Sequence, residues 1–251
     1  MRVTTFAVCE QGGRSHNDDS LGDADLLAGH CLVVADGAGG HRGGAVASQV
    51  VTDTVLLYLA NARQWDEEAL IGALDAASRA VHRKQEETPA LAQMSSTVVI
   101  LCLDADASTA RWTHLGDSRL LHFRRGIVEQ LTHDHSVLQT LIDAGLALND
   151  GARPDRSVLY AAVGTEGATR PVVGTKADLA DGDAFLLCTD GVWDAVSVHE
   201  MERLFVFAGS VREWVESIAA AISAAHRPNQ DNYTALGVWI GEPEEITVIK
   251  G

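Results

Sequence analysis

Short apolar runs, rather than long ones, dominate the hydrophobic pattern of this chain. Runs rich in Val, Ile, Leu and Phe over residues 3–9, 30–35, 97–103, 110–115, 120–123, 172–176, 184–188 and 233–240 predict strands along its whole length. Between them, the spacing of apolar positions over residues 44–61 and 67–87 predicts two consecutive amphipathic helices, the second opened by Asp66 as N-cap. Two capping boxes, Ser197 with Glu200 and Ser210 with Glu213, start later helices by satisfying free N–H groups of the first turn. Strands bunch around one helix pair in the first half and another pair precedes the last strand, so strict βαβ alternation is absent. An α+β fold with mainly antiparallel sheets follows.

Residues 133–162 break the pattern. A short helical stretch, 136–144, runs into a Gly, Asp and Pro-rich segment, 149–155, and reads as an inserted flap. No repeat or low-complexity tract divides the chain, so one domain over residues 1–251 is expected, with a flap subdomain at about 133–162. The 46% hydrophobic content fits a well-packed globule, and the net charge of −16 opposes binding to nucleic acid or anionic membranes. The first residues lack a long apolar core and no later run nears the roughly 18 apolar residues needed to span a bilayer, so a cytoplasmic protein without membrane insertion is expected. Cys9, Cys31, Cys102 and Cys188 lie in or beside apolar runs without CxxC spacing, and read as buried, reduced packing residues.

Charge placement changes this picture. Asp18, Asp19, Asp36, Asp117, Asp190 and Asp231 stand at the ends of apolar runs, most beside Gly or Asn. Such carboxylates are costly unless a cation neutralises them, and clustered carboxylate oxygens suit hard divalent ions. The strongest local signal is Leu32–His41, an apolar strand delivering Asp36 into a glycine-dense turn before a helix. Ala184–Asp194 has the same shape around Asp190. Asp117 stands between two strands, where a hairpin turn is the competing explanation.

Eight segments in order, Arg14–Asp19, Val34–His41, Gly44–Ser48, Ser95–Thr97, Gly116–Arg119, Leu131–Ser136, Cys188–Asp194 and Gln230–Thr234, resemble the metal-dependent protein serine/threonine phosphatases of type 2C in their compact bacterial form. The resemblance spans nearly the whole chain. It implies a four-layer α/β/β/α sandwich with two stacked antiparallel sheets and a small flap. It also implies two Mn²⁺ or Mg²⁺ ions: Asp36 bridging both, Asp190 and Asp231 completing one, and the Gly37 carbonyl serving the other, with Asp18 and Asp19 holding its waters or coordinating directly. Asp117 resembles the residue that recruits an optional third ion together with Asp190. The implied activity is hydrolysis of phosphoserine and phosphothreonine by a hydroxide bridging the ions, with Arg14 holding the non-bridging phosphoryl oxygens.

The pattern is not matched everywhere. Ala38 stands where eukaryotic relatives carry His, so a side-chain acid is missing there. His41 is a weak catalytic candidate, a helix-capping role being the alternative. Asp18 replaces a longer Glu or Gln, and Ser95 a Gly. Asn232 either orients metal-bound water or starts the last strand, while His133, Asp134 and His135 read as a polar cluster at the flap entrance. His16, His82 and His226 read as surface residues. The resemblance further implies a monomer acting on phosphoproteins of a cognate Ser/Thr kinase system, in general kinase signalling or in a secretion apparatus. The alternatives are an inert pseudophosphatase that binds phosphoproteins as a regulator, and a partner-switch phosphatase for an anti-sigma-factor antagonist.

Overall fold

A computed structural model describes residues 1–40, 43–145, 158–165 and 177–241. In chain order the elements are β1 (Val3–Glu10), β2 (Asp19–Leu26), β3 (Gly29–Ala38), α1 (Gly43–Ala60), α2 (Glu67–Glu87), β4 (Ser95–Ser96), β5 (Val98–Asp104), β6 (Thr109–Leu115), β7 (Arg119–Arg124), β8 (Ile127–Leu131), α3 (Val137–Asp143), β9 (Ala177–Asp178), β10 (Ala184–Cys188), α4 (Asp190–Trp193), α5 (Val198–Phe207), α6 (Val211–Ala224) and β11 (Tyr233–Ile240). One antiparallel sheet has the order β1-β11-β10-β7-β8, and the other β2-β3-β5-β6-β9 with β4 on the end of β3. The two sheets stack on a shared apolar layer that includes Leu32, Leu101, Phe185, Leu187 and Leu236. Helices α1 and α2 cover the outer face of the β3 sheet, and α5 and α6 that of the β11 sheet. The expected α+β four-layer sandwich of two stacked antiparallel sheets is what the chain forms.

Burial explains which elements were legible. Strands β10 and β11 are buried at every position, so both faces read as apolar runs. Strand β2, with the sequence DSLGDADL, lies at a sheet edge and carries three acids, which hid it from a hydrophobic reading. Strands β4, β8 and β9 and the one-turn α4 also went unpredicted, being short or exposed. The predicted strand over 172–176 lies outside the described residues, as does the flap segment 146–157.

The helix starts follow from side-chain caps. Asp66 accepts from Ala69 N–H, Ser197 from Glu200 N–H and Ser210 from Glu213 N–H, as the sequence predicts. Helix α1 is long and apolar enough, by length and composition, to cross a bilayer, yet Ala47, Val51, Val55 and Leu59 are fully buried within the sandwich. Three cysteines are buried as expected, but Cys9, near the end of the edge strand β1, is exposed.

Two glycines let β3 meet α1. A Cβ on Gly37 would lie 2.0 Å from the Gly44 carbonyl oxygen, and one on Gly44 would lie 2.5 Å from the Gly37 oxygen. Backbone blocks backbone here, so no rotamer can relieve the overlap. Gly37→Ala is expected to lower stability by about 3 kcal/mol or more in urea denaturation; an unmoved midpoint would contradict this packing.

Candidate active site

Five carboxylates reach one end of the stacked sheets from both sides. Asp19 opens β2 and Asp36 stands near the end of β3, and the two are direct cross-strand partners. From the other sheet, Asp190 follows β10 and Asp231 lies two residues before β11. Asp117 sits where the chain leaves β6 in one sheet and enters β7 in the other. The hairpin explanation for Asp117 is therefore overturned: its neighbouring strands do not pair, and the turn bridges the two sheets. Asp18, Asp36, Gly37, Asp117, Asp190, Asp231 and Arg14 line a common cleft of about 430 Å³. Asp19 supports its floor.

Like charges opposite one another in a sheet repel, and burial sharpens the repulsion. Desolvation, then Asp19 and the other carboxylates, push Asp36 well above the ordinary carboxylate range. Desolvation raises Asp19 to about 7 against two opposing hydroxyl bonds, with Asp190 and Asp231 adding to the rise. Asp117 rises to about 7 and Asp190 to about 6, again through burial first and neighbouring carboxylates second. Asp19 Oδ1 and Asp190 Oδ1 are buried with no hydrogen-bond partner among the described residues. Hard oxygen donors, mutual repulsion and buried unspent oxygens fit divalent cations and fit little else.

Other oxygens are already engaged. Asp231 Oδ2 takes Arg14 Nη2 at 2.6 Å, and Asp19 Oδ2 accepts from Thr189 and Thr234 hydroxyls at 3.0 and 2.7 Å. Among the described residues no three His, Cys, Asp or Glu side chains close on a single point as a finished ligand cage.

The supporting residues hold this geometry. Thr97 Oγ1 accepts from Asp36 N–H at 3.0 Å and shares a 2.7 Å bond with Ser118, tying the Asp36 strand end to the Asp117 turn. Thr189 and Thr234 fix Asp19 across the sheet boundary. In the sequence these threonines stand within segments that carry the resemblance, with no role assigned to them. Asp18 Oδ1 accepts from Ala45 N–H at 2.8 Å, at the start of α1, while Oδ2 lies 3.2 Å from His16 Nε2. His16, expected on the plain surface, instead lines the cleft. Asn232 is spent on backbone: its Nδ2 donates to Gln11 and His16 carbonyls and its Oδ1 accepts from Asp18 N–H. It ties the 11–18 loop to β11 and also lines the cleft. His41 lies outside the described residues.

The flap-entrance cluster has the structural role expected of it. Asp134 binds Arg119 through two bonds of 2.8 and 2.7 Å, and Arg119 stacks 3.7 Å from the Trp193 ring centroid. Trp193 Nε1 donates to the Asp117 carbonyl at 3.0 Å. Burial, then the neighbouring His114, lower His135 to about 4, so its ring is neutral at physiological pH. A larger groove of about 620 Å³ runs between α1 and α2, floored by Leu57, Tyr58, Ala62 and Ala69. Its lining adds Thr54, Asn61, Asp66 and Glu68, with Asp66 occupied as a helix cap, and it brings together none of the cleft's converging buried carboxylates.

The fold and the site together define a class: an α/β/β/α sandwich whose two sheets share one acidic cleft at their ends. Comparison with known proteins gives that class a family. The family model described as Protein phosphatase 2C matches residues 10–230, and the chain belongs to the protein phosphatase 2C family. It is 31% identical over 242 residues to the serine/threonine protein phosphatase PstP of Mycobacterium tuberculosis, covering 94% of this chain and 42% of that protein. The chain thus spans less than half the length of that relative. The catalytic domain of PstP, solved with two manganese ions, superposes with a TM-score of 0.81 at 27% identity, covering 96% of this chain and 99% of that one. A serine/threonine phosphatase from S. agalactiae shares the fold with a TM-score of 0.85 at 20% identity, covering 95% and 100%.

Proposed function

We propose that the protein is a metal-dependent phosphatase that hydrolyses phosphoserine and phosphothreonine in proteins. The observation that carries the reading is the convergence of carboxylates from both sheets, with buried oxygens of Asp19 and Asp190 left without partners. Asp36, Asp19, Asp190, Asp231 and the Gly37 carbonyl would hold two divalent cations, Mn²⁺ or Mg²⁺, and Asp117 with Asp190 an optional third. Such ions, when bound, supply Lewis acidity at phosphoryl oxygens and bring the pKa of water near neutral.

The chain's own residues bind and orient the substrate. Arg14 lines the cleft with one Nη on Asp231, and its fork is suited to the equatorial oxygens of a phosphoryl group in flight. Raised pKa values at Asp19, Asp36, Asp117 and Asp190 mean that the metal-free cleft carries protons near neutral pH, which cations must displace. His16 places Nε2 3.2 Å from Asp18 Oδ2 on the cleft wall. No observation favours an inert binding module, since every expected carboxylate is present. The reading includes a monomer in the cytoplasm acting on phosphoproteins of a Ser/Thr kinase system, and the net charge of −16 weighs against nucleic acid and anionic membranes as partners.

Phosphate release from phosphoserine, phosphothreonine and phosphotyrosine peptides, with Mn²⁺ and after chelation, tests this directly. Metal-dependent turnover of the first two is expected; none with any peptide would end the proposal. Arg14→Ala should reduce kcat/KM for phosphopeptides by about a hundredfold, and Arg14→Lys should restore only part of it, because a point charge cannot replace the planar fork. Full activity in Arg14→Ala would remove Arg14 from the transition state.

A further inference from the structure

One side chain joins the flap stem to the Asp117 turn. His135 Nδ1 accepts from Gly116 N–H at 3.1 Å, while His135 N–H donates to the Gly116 carbonyl at 2.9 Å. The reciprocal pair pins the residue immediately before Asp117. Gly116 has little room to move: its φ is +104°, and a Cβ there would lie 2.7 Å from Thr97 Cγ2. The other side chains of the stem are committed elsewhere. His133 pairs with Asp143, Asp134 with Arg119, and Ser136 caps α3.

On its far side His135 meets the segment returning from the flap. Tyr160 N–H donates to the His135 carbonyl at 3.0 Å, and the Tyr160 ring stands edge-on to the imidazole, 5.7 Å between centroids and 73° between planes. His114 stacks on the other face at 4.6 Å. The imidazole is thereby held between core and flap. Tyr160 itself is 46% exposed, while its neighbours Leu159 and Ala162 line the cleft.

We propose that His135 is a positioning residue for Asp117, and that Tyr160 seats it from the far side. The inference rests on the proposed function for what Asp117 does, but not for where it is held. Loss of the acceptor would leave the buried Gly116 N–H unsatisfied and free the turn to shift.

Three variants test it: His135→Phe keeps a ring without the acceptor, His135→Asn keeps an acceptor near the Nδ1 position without the ring, and Tyr160→Leu removes the buttress. In metal-free protein, His135→Phe should speed hydrogen exchange at the Gly116 amide by roughly tenfold, the cost of one unsatisfied buried donor. The Mn²⁺ concentration for half-maximal hydrolysis of an aryl phosphate should rise by a similar factor. His135→Asn should stay within about threefold of wild type in both, and Tyr160→Leu should speed Gly116 exchange by about threefold. Wild-type behaviour of His135→Phe, equal impairment of His135→Asn, or unmoved Gly116 exchange in Tyr160→Leu would overturn the proposal. Tyr160 is half exposed, so its variant decides the matter if His135→Phe fails to fold. If the wild-type protein hydrolyses no phosphomonoester with Mn²⁺, the functional reading fails, while the ranking of Gly116 exchange rates still judges the role of His135.

Discussion

Asp36→Asn is expected to abolish Mn²⁺-dependent phosphate release, by about a thousandfold or more, while raising the thermal midpoint of the metal-free protein. The two effects have one cause. Asp36 faces Asp19 across the β2–β3 register and is surrounded by Asp190, Asp117 and Asp231, so its charge is costly without a cation and central with one. An amide of the same shape removes the repulsion and, with it, a strong anionic donor. Single-turnover release from a phosphopeptide, with calorimetry on chelated protein, measures both. Retained turnover would exclude Asp36 from the metal-binding chemistry, and a lowered midpoint would show that repulsion is not what Asp36 contributes to the metal-free fold.

The metal-free protein should also lose stability progressively as pH rises from about 4 to about 7, by several kcal/mol in sum. Asp19 and Asp117 have folded pKa values of about 7 and Asp190 about 6, all above the ordinary carboxylate value of 3.8. Below the unfolded pKa these groups are protonated in both states and the advantage of the folded state is complete. As pH climbs through the folded values, the folded protein must surrender protons that the unfolded chain has already lost, and the advantage disappears. Asp183 acts in the opposite direction. Burial would raise it, but the bidentate Arg124 holds it well below the usual range, so its contribution is full above that range and fades only in acid. Stability without metal should therefore peak near pH 4, close to the ordinary carboxylate value, and decline from there towards neutrality. Saturating Mn²⁺ should reverse the trend near neutrality, since cations favour the deprotonated cleft. Urea midpoints at pH 5 and pH 8, with and without Mn²⁺, decide the point; a metal-free protein equally stable at both would show that the cleft carries no repulsion.

Much of this architecture could be read before any coordinates, for reasons visible in particular residues. Strands β10 and β11 matched their predicted limits because burial on both faces leaves no polar position to blur the ends. Helix α2 did so because Asp66 marks its start. Strand β2 was invisible because Asp19, Asp23 and Asp25 lie on an edge strand, where one face is free to be polar and one end belongs to the cleft. The site was legible as a set of acids at strand ends, but not as an arrangement. Asp117 resembled a hairpin residue because β6 and β7 are adjacent in sequence, and only the topology shows that they part into different sheets. Thr189, Thr234 and His16 carried no local signal, since their partners Asp19 and Asp18 are distant in sequence or turned by a loop.

The division of the cleft between two sheets has a consequence for ion choice. Asp19 and Asp36 travel with one sheet, Asp190 and Asp231 with the other, and the distance between the pairs is fixed by the apolar layer that contains Phe185, Leu236 and Leu101. Mg²⁺ demands a near-ideal octahedron at about 2.0–2.1 Å, whereas larger and more tolerant cations accept a wider spread of donors. A methyl group added to or removed from that hidden layer would slide one half of the sandwich against the other. If the cleft holds cations as proposed, that buried layer would help set which of them fit, without touching any ion.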